Sequence, residues 1–392
     1  MDNEKIYLDY NATTPIDPRV LEGMAAVGRD NFGNPSSSHC FGRPAAEIVR
    51  RARLQVAAVL KAEPEEICFT SGGTESDNLA LKGVVLPCLA AGRKPHVIVS
   101  SVEHPAVSES CRYLESLGAR ITFLPVAADG TLQAAQVAQA INDDTVLVSL
   151  MLANNETGVL FPLAEIAEIT RPHGILLHSD AVQAFGKVEI DVKALGLDLL
   201  SLSGHKVYAP KGVGALWVRS GVRIEPLLHG GGQEKGLRSG TENLAGMAGL
   251  GLACEILTAG MADEATRLRR LRDRLEMKLA AALDQQLIFH GHRQLRVPNT
   301  CSLSVPYVDG ESLLAHLDLD DIAVSAGSAC SSGEHRGSPV LRAMGIGPEL
   351  AQGSLRISLG RWTTAAEVEI FVEKLTAIVR RLWAISPLYQ AR

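Results

Sequence analysis

The chain has 392 residues, 46% apolar and 21% charged, with a formal net charge of −6, the composition of a globular enzyme with a large core and room for two domains. The negative balance argues against a general nucleic-acid binder. No apolar run approaches the roughly 20 residues of a membrane span, and the acidic start MDNEKIYLDY lacks a signal-peptide core, so a cytoplasmic chain with no membrane partner is expected.

In chain order, residues 6–10 read as a short strand, 11–15 as a turn, and 31–38 (NFGNPSSS) as a loop. Residues 43–61 carry apolar positions at helical spacing. Strands and helices then alternate. Strand 67–70 meets the tight turn Ser71-Gly72-Gly73-Thr74 and a helix from Glu75 toward Leu89; strand 96–101 meets His104-Pro105 and a helix to Leu117. Strands 121–126 and 145–152 flank a helical stretch, and helix 163–170 leads to a strand that ends in His178-Ser179-Asp180. The apolar run 197–202 turns polar at Ser203-Gly204 and delivers His205 and Lys206, with strand 214–218 beyond. Buried apolar strands separated by helices predict a mainly parallel sheet, whose ligands bind at the carboxyl ends of the strands. Thr74, His104, Asn155, Asp180 and Lys206 all fall just past an apolar run. Residues 244–254 are apolar with three glycines, whereas 263–278 (DEATRLRRLRDRLEMK) are heavily charged, and this shift is the candidate boundary. Beyond it strand 300–305, helix 311–317, strand 322–325, strand 354–359 and a long helix from Thr364 form a smaller α+β unit. The expected division is a large domain of residues 14–260 and a small one of 1–13 with 261–392.

A carboxylate from one strand and a lysine from another are the pair that pyridoxal phosphate needs. The acid keeps the pyridine nitrogen protonated and the lysine holds the cofactor as a Schiff base. Asp180 and Lys206 are that candidate pair. Gly73 and Thr74, before a helix, offer backbone N–H groups, a hydroxyl and a helix dipole to a phosphate, and Ser203 and His205 stand ready to close round the same group. His104 is placed to stack on a flat ring or relay protons; a bond to a loop carbonyl is the competing reading. Gln183 is a candidate donor to the cofactor's phenolic oxygen, or a surface residue. Asn155 is a site candidate or a turn former. Arg356, in an alternating strand, points either into the cleft toward a substrate carboxylate or into an ordinary ion pair. Seven cysteines are dispersed with no CxxC pair, which argues against a disulfide framework and a zinc site. Cys68 and Cys301 sit in strand-like runs and read as core; Cys330, amid the small residues of SAGSACSSGEHRGS, reads as an exposed reactive thiol or an accidental one.

The segments YLDYNATTP, NFGNPSS, TSGGTESDN, EHPAV, NNETG, HSDAVQ, SGHK, RSGTEN, GSACSS and LRISLGR together resemble the NifS/IscS-type cysteine desulfurases, fold-type I pyridoxal-phosphate enzymes, from about Ile6 to the terminal helix. The resemblance implies a large domain with a mainly parallel seven-stranded sheet plus a small α+β domain carrying the Cys330 loop. It implies that Lys206 binds the cofactor, Asp180 its pyridinium and Gln183 its phenolate oxygen, with His104 stacked on the ring and Asn155 close to cofactor and substrate. It further implies that Thr74, Ser203 and His205 hold the phosphate, that Thr241 reaches the phosphate of the other subunit of a homodimer, and that Arg356 binds the carboxylate of L-cysteine. Cys330 would take the sulfur as a persulfide and pass it to an acceptor or an iron–sulfur scaffold protein, where it could transiently share a cluster iron. Two features depart from the pattern: the charged GEHRGSPVL after Cys330, and the short segment 384–392 where some relatives carry a longer scaffold-docking tail. A selenocysteine lyase with the same cofactor shell, a small-molecule aminotransferase of the same fold and a cofactor-free scaffold are the alternatives.

Overall fold

The computed structural model describes residues 5–326 and 337–389. The strands follow the apolar runs: β1 Ile6–Tyr7, β2 Ile67–Thr70, β3 His96–Ser100, β4 Arg120–Leu124, β5 Thr145–Ser149, β6 Leu176–Asp180, β7 Leu199–Ser203, β8 Gly214–Val218, β9 Ile288–His290, β10 Thr300–Ser304, β11 Ile322–Ala323 and β12 Ser354–Ser358. The helices are α1 Pro18–Asp30, α2 Gly42–Leu60, α3 Gly73–Ala90, α4 Pro105–Ser116, α5 Ala134–Ala140, α6 Leu163–Thr170, α7 Leu244–Ala282, α8 Gly310–Leu319, α9 Pro339–Ala343, α10 Pro348–Gln352 and α11 Ala365–Ile385.

Seven strands form one sheet in the order β2-β8-β7-β6-β5-β3-β4. Neighbours from β4 to β7 pair in parallel, while β8 runs antiparallel to both β7 and β2. The inner strands are largely apolar and buried because helices cover both faces, whereas the edge strand β4 is only partly buried. Val97 and Val99 of β3 pack in one core with Leu79, Val85, Val107 and Leu114 of α3 and α4. Ile98, between them, faces a second core with Val20, Val56, Ile166 and Leu250 of α1, α2, α6 and α7. A third core gathers Ile6, Leu8, Leu303, Leu355 and Phe371 round the small antiparallel sheet β12-β10-β9.

The composition shift near residue 260 is not a break in the chain. Helix α7 runs through it for 39 residues, so the expected division at 260/261 would cut one continuous helix. Its composition changes because its neighbours change. The first half lies against α1 and α2, so close that a Cβ on Gly251 would stand 2.7 Å from the Cα of Ala52. Length and composition would let this half cross a bilayer, but its apolar residues are those that fill the core. Beyond it only one stripe, Leu268, Leu275 and Leu279, is buried in the third core, and the other positions are free to carry charge. Gly260 alone costs about 1 kcal/mol and does not stop a helix.

The charged half is tied down by a buried pair. Glu276 takes Arg296 through two bonds of 2.6 and 2.8 Å, with both side chains 5% exposed or less. Replacing Glu276 by alanine strands a buried guanidinium, at a cost of about 3–5 kcal/mol. A lower urea midpoint at fixed protein concentration is the expected result; an unchanged midpoint would show that the pair adds nothing.

Candidate active site

The N-terminal segment threads from the small sheet to the large one. Asp9 bridges to Ser358, Asn11 donates its Nδ2–H to Thr300 Oγ1 at 2.8 Å, and the Thr14 amide donates to the carbonyl of His205 at 2.9 Å. It thereby closes a cavity of about 310 Å³ over the carboxyl ends of β5, β6 and β7. Gly73, Thr74, His104, Asn155, Asp180, Gln183, Ser203, His205, Lys206 and Arg356 all line it. Thr241 does not: it is exposed, on the segment between Gly236 and Asn243. Cys330 lies outside the described residues. A cavity of about 440 Å³ at the opposite ends of β6 and β7 is larger, but its charged side chains pair with protein neighbours, as Arg219 does with Asp198 and Lys193 with Glu63.

Asp180 ends β6, buried, with Oδ1 accepting the Val182 N–H at 2.9 Å. Burial raises its pKa, and His104 and Lys206 oppose that rise. Beneath it lies a second acid, Asp77, raised by burial and by Asp180. Asp77 Oδ1 has no hydrogen bond among the described residues and stands 3.7 Å from Nε2 of His178. That imidazole spans Ser149 and Ser201 at 2.8 and 3.0 Å and is held neutral by burial, its pKa pushed down to about 3. The floor of the cavity therefore favours a cation above Asp180, and the protein places no cationic side chain in hydrogen-bond contact with it among the described residues.

Lys206 closes a single 3₁₀ turn, Gly204–Lys206, after β7. Its Nζ donates to the carbonyl oxygens of Asn11 and Ala12, both at 2.6 Å. His104 caps α4, accepting the Ala106 N–H on Nδ1 at 3.1 Å, which leaves the proton of the neutral ring on Nε2. Burial and the Lys206 charge lower its pKa against the pull of Asp180. His205 hydrogen-bonds Thr13 Oγ1 at 3.1 Å, and burial with Lys206 and Lys211 pushes its pKa down to about 4.

Helix α3 opens onto the cavity with no side-chain cap, so the N–H groups of its first turn are available to an anion. Its start is close-packed: a Cβ on Gly73 would stand 2.7 Å from Val182 Cγ2. Glu75 fixes this turn, accepting the Ser71 N–H at 2.8 Å and Arg238 Nε–H at 2.9 Å, and so ties the segment that carries Thr241 to the same helix start. Arg356 spends one nitrogen on Asp9 at 2.9 Å and another on the Asn155 carbonyl at 3.1 Å. Its Nε and the Oδ1 of Asn155 are buried without partners among the described residues.

These features fit pyridoxal phosphate: a buried carboxylate facing a cation position, an amine on the next strand, an uncapped helix start, and two orphaned polar atoms for a substrate. A carboxylate and a lysine at neighbouring strand ends of such a sheet define the class of fold-type I pyridoxal-phosphate enzymes. Comparison with known proteins agrees. The aminotransferase class-V family matches residues 6–371. A cysteine desulfurase IscS of Dictyoglomus turgidum is 45% identical over 386 residues, 98% of this chain and 97% of that protein. Among solved structures, a NifS-like protein superposes with a TM-score of 0.90 at 38% identity over 96% of this chain and 100% of that one. SspA in complex with cysteine gives 0.80 at 36% identity over 92% and 100%. The chain belongs to the class-V aminotransferase family, in its NifS/IscS-type cysteine desulfurase group.

Asp9, Asn11, Asp77, Met151, Val182 and Ser325 also line the cavity and were not singled out from the sequence. Asn11 follows the strand-like stretch 6–10 as the other site residues follow theirs, which was the available signal, whereas Asp9 lies inside that stretch. Asp77 is an interior helix position, where an acid reads as solvent-facing until the neighbouring strand is known.

Proposed function

We propose that this chain is a pyridoxal-phosphate-dependent cysteine desulfurase that converts L-cysteine to L-alanine and keeps the sulfur as a persulfide on Cys330. The observation that carries the reading is the convergence of Asp180 and Lys206 on one cavity in a chain of this family. When bound, the cofactor supplies an electron sink conjugated to the substrate Cα. Asp180 would face the pyridine nitrogen and hold its proton. His104 would stack on the ring, and Gln183 would donate to the ring oxygen. Gly73, Thr74, Ser203 and His205 would hold the phosphate at the start of α3. Arg356, with its free Nε, turns to the substrate carboxylate beside Asn155.

Lys206 takes the Cα proton and returns a proton as sulfur leaves. The Cys330 thiolate forms the new S–S bond while the Cβ–S bond breaks and Cβ gains a proton, so that cysteine and a thiol become alanine and a persulfide. Four buried cysteines are unsuited to that role: burial pushes the thiol of Cys111 up to about 12 and raises those of Cys68, Cys254 and Cys301 as well. Thr241, exposed and tethered to α3 through Arg238, reaches the phosphate of a second copy in a homodimer. The persulfide passes to a cytoplasmic acceptor or scaffold protein for iron–sulfur cluster or thio-cofactor synthesis, and Cys330 transiently shares a cluster iron there.

Incubation with L-cysteine, followed by alanine measurement and mass spectrometry of Cys330, tests this reading. Cys330→Ala is expected to keep the yellow cofactor and lose the persulfide; undiminished sulfur transfer by the variant would remove Cys330 from the reaction.

A further inference from the structure

Gln183 and Asn11 line the cavity, and one side chain holds both from behind. Lys187 Nζ donates to Gln183 Oε1 at 2.6 Å and to Asn11 Oδ1 at 3.1 Å. Its amine is buried near the charges of Lys206 and Arg356, and that burial, then those charges, hold its pKa well below the usual lysine range. Charged or neutral, the amine presents at least the two N–H groups that these contacts use. An amide whose oxygen is taken by an amine must turn its nitrogen the other way. Gln183 Nε2 accordingly donates to the Asn11 carbonyl at 2.9 Å. That same carbonyl accepts from Lys206 Nζ at 2.6 Å. Asn11 is fixed in the same sense, with Oδ1 also accepting from Asn299 Nδ2 at 3.1 Å and Nδ2 donating to Thr300 Oγ1. One chain of contacts thus runs from Lys187 through Gln183 and Asn11 to Lys206.

We propose that Lys187 is a positioning residue: by occupying the Gln183 and Asn11 side-chain oxygens it fixes the Gln183 amide with one N–H on the Asn11 carbonyl and leaves the other for the cofactor's ring oxygen. The inference rests on the proposed function, in which Gln183 donates to that oxygen. Without Lys187 the buried Oε1 loses its donor, and rotation of the amide becomes favourable.

The test is an absorbance–pH titration of the substrate-free holoenzyme, which reads the pKa of the linkage between Lys206 and the cofactor. A donor on the ring oxygen stabilises its negative charge and lowers that pKa, so losing the donor raises it. Lys187→Met is expected to raise it by about half a unit to one unit, the size of one hydrogen bond. Gln183→Leu is expected to raise it similarly, and the double variant no further than either single one. Lys187→Gln, which keeps a donor, should shift it less, and replaces the methionine variant if that protein does not fold. An unmoved pKa in the Lys187 variants beside a shifted one in Gln183→Leu overturns the inference alone, as do additive shifts. A shift for Lys187→Met with none for Gln183→Leu overturns it too, by removing Gln183 as the route. A wild type that forms no linkage at all sinks the proposed function, and the inference with it.

Discussion

Lys206→Ala protein, saturated with pyridoxal phosphate and then gel-filtered, is expected to lack the wild-type Schiff-base absorbance and to form alanine from L-cysteine about 10⁴-fold more slowly than wild type. In the proposed reaction the lysine has two tasks. It would bind the aldehyde, and it would carry a proton from Cα to Cβ. Its position on a 3₁₀ turn directly after β7, with Nζ aimed by the carbonyls of Asn11 and Ala12, fixes the amine to within a hydrogen bond. Lys187 is the nearest alternative amine along the contact network, but its Nζ is committed to Gln183 and Asn11. Absorbance after gel filtration and amino-acid analysis of the product measure the two losses separately. A yellow variant that still turns over would place the linkage elsewhere.

Asp180→Asn is expected to retain the fold and lose about 10²–10³-fold in turnover. The substitution is nearly isosteric, and the amide oxygen can still accept the Val182 N–H that Asp180 accepts at 2.9 Å. What disappears is the charge. Burial raises the Asp180 pKa while His104 and Lys206 hold it down, and a protonated pyridine nitrogen would add to that restraint. In the proposed reaction, asparagine would leave the pyridine nitrogen without an anion to keep its proton, and the ring would withdraw electrons less well. Cofactor affinity should weaken in parallel, measured by the concentration of pyridoxal phosphate that restores absorbance. Wild-type turnover in this variant would take Asp180 out of the chemistry.

Much of this site was legible in the apolar runs. In a parallel sheet all strands end on the same side, so Thr74, His104, Asn155, Asp180 and Lys206, each just past a run, had to converge if those runs were neighbouring strands. The runs could not show that β8 is antiparallel to its two neighbours, because burial on both faces erases the alternation that would distinguish directions. Nor could they show that α7 continues through residue 260. A change of composition along a helix records which surface it meets, and that surface belongs to other parts of the chain.

By itself, then, the order of apolar and polar residues determined the alternating architecture, the strand ends and most of the side chains placed there, since these depend on period and local turn chemistry. Tertiary structure alone decided the rest. It brought Asp9 and Asn11 in from residues 200 positions or so away from Lys206 to roof the cavity, set His178 neutral between Ser149 and Ser201, and put Lys187 behind Gln183. A polar side chain's partner, and hence its charge and orientation, is chosen by whatever the folded chain packs against it in the absence of water.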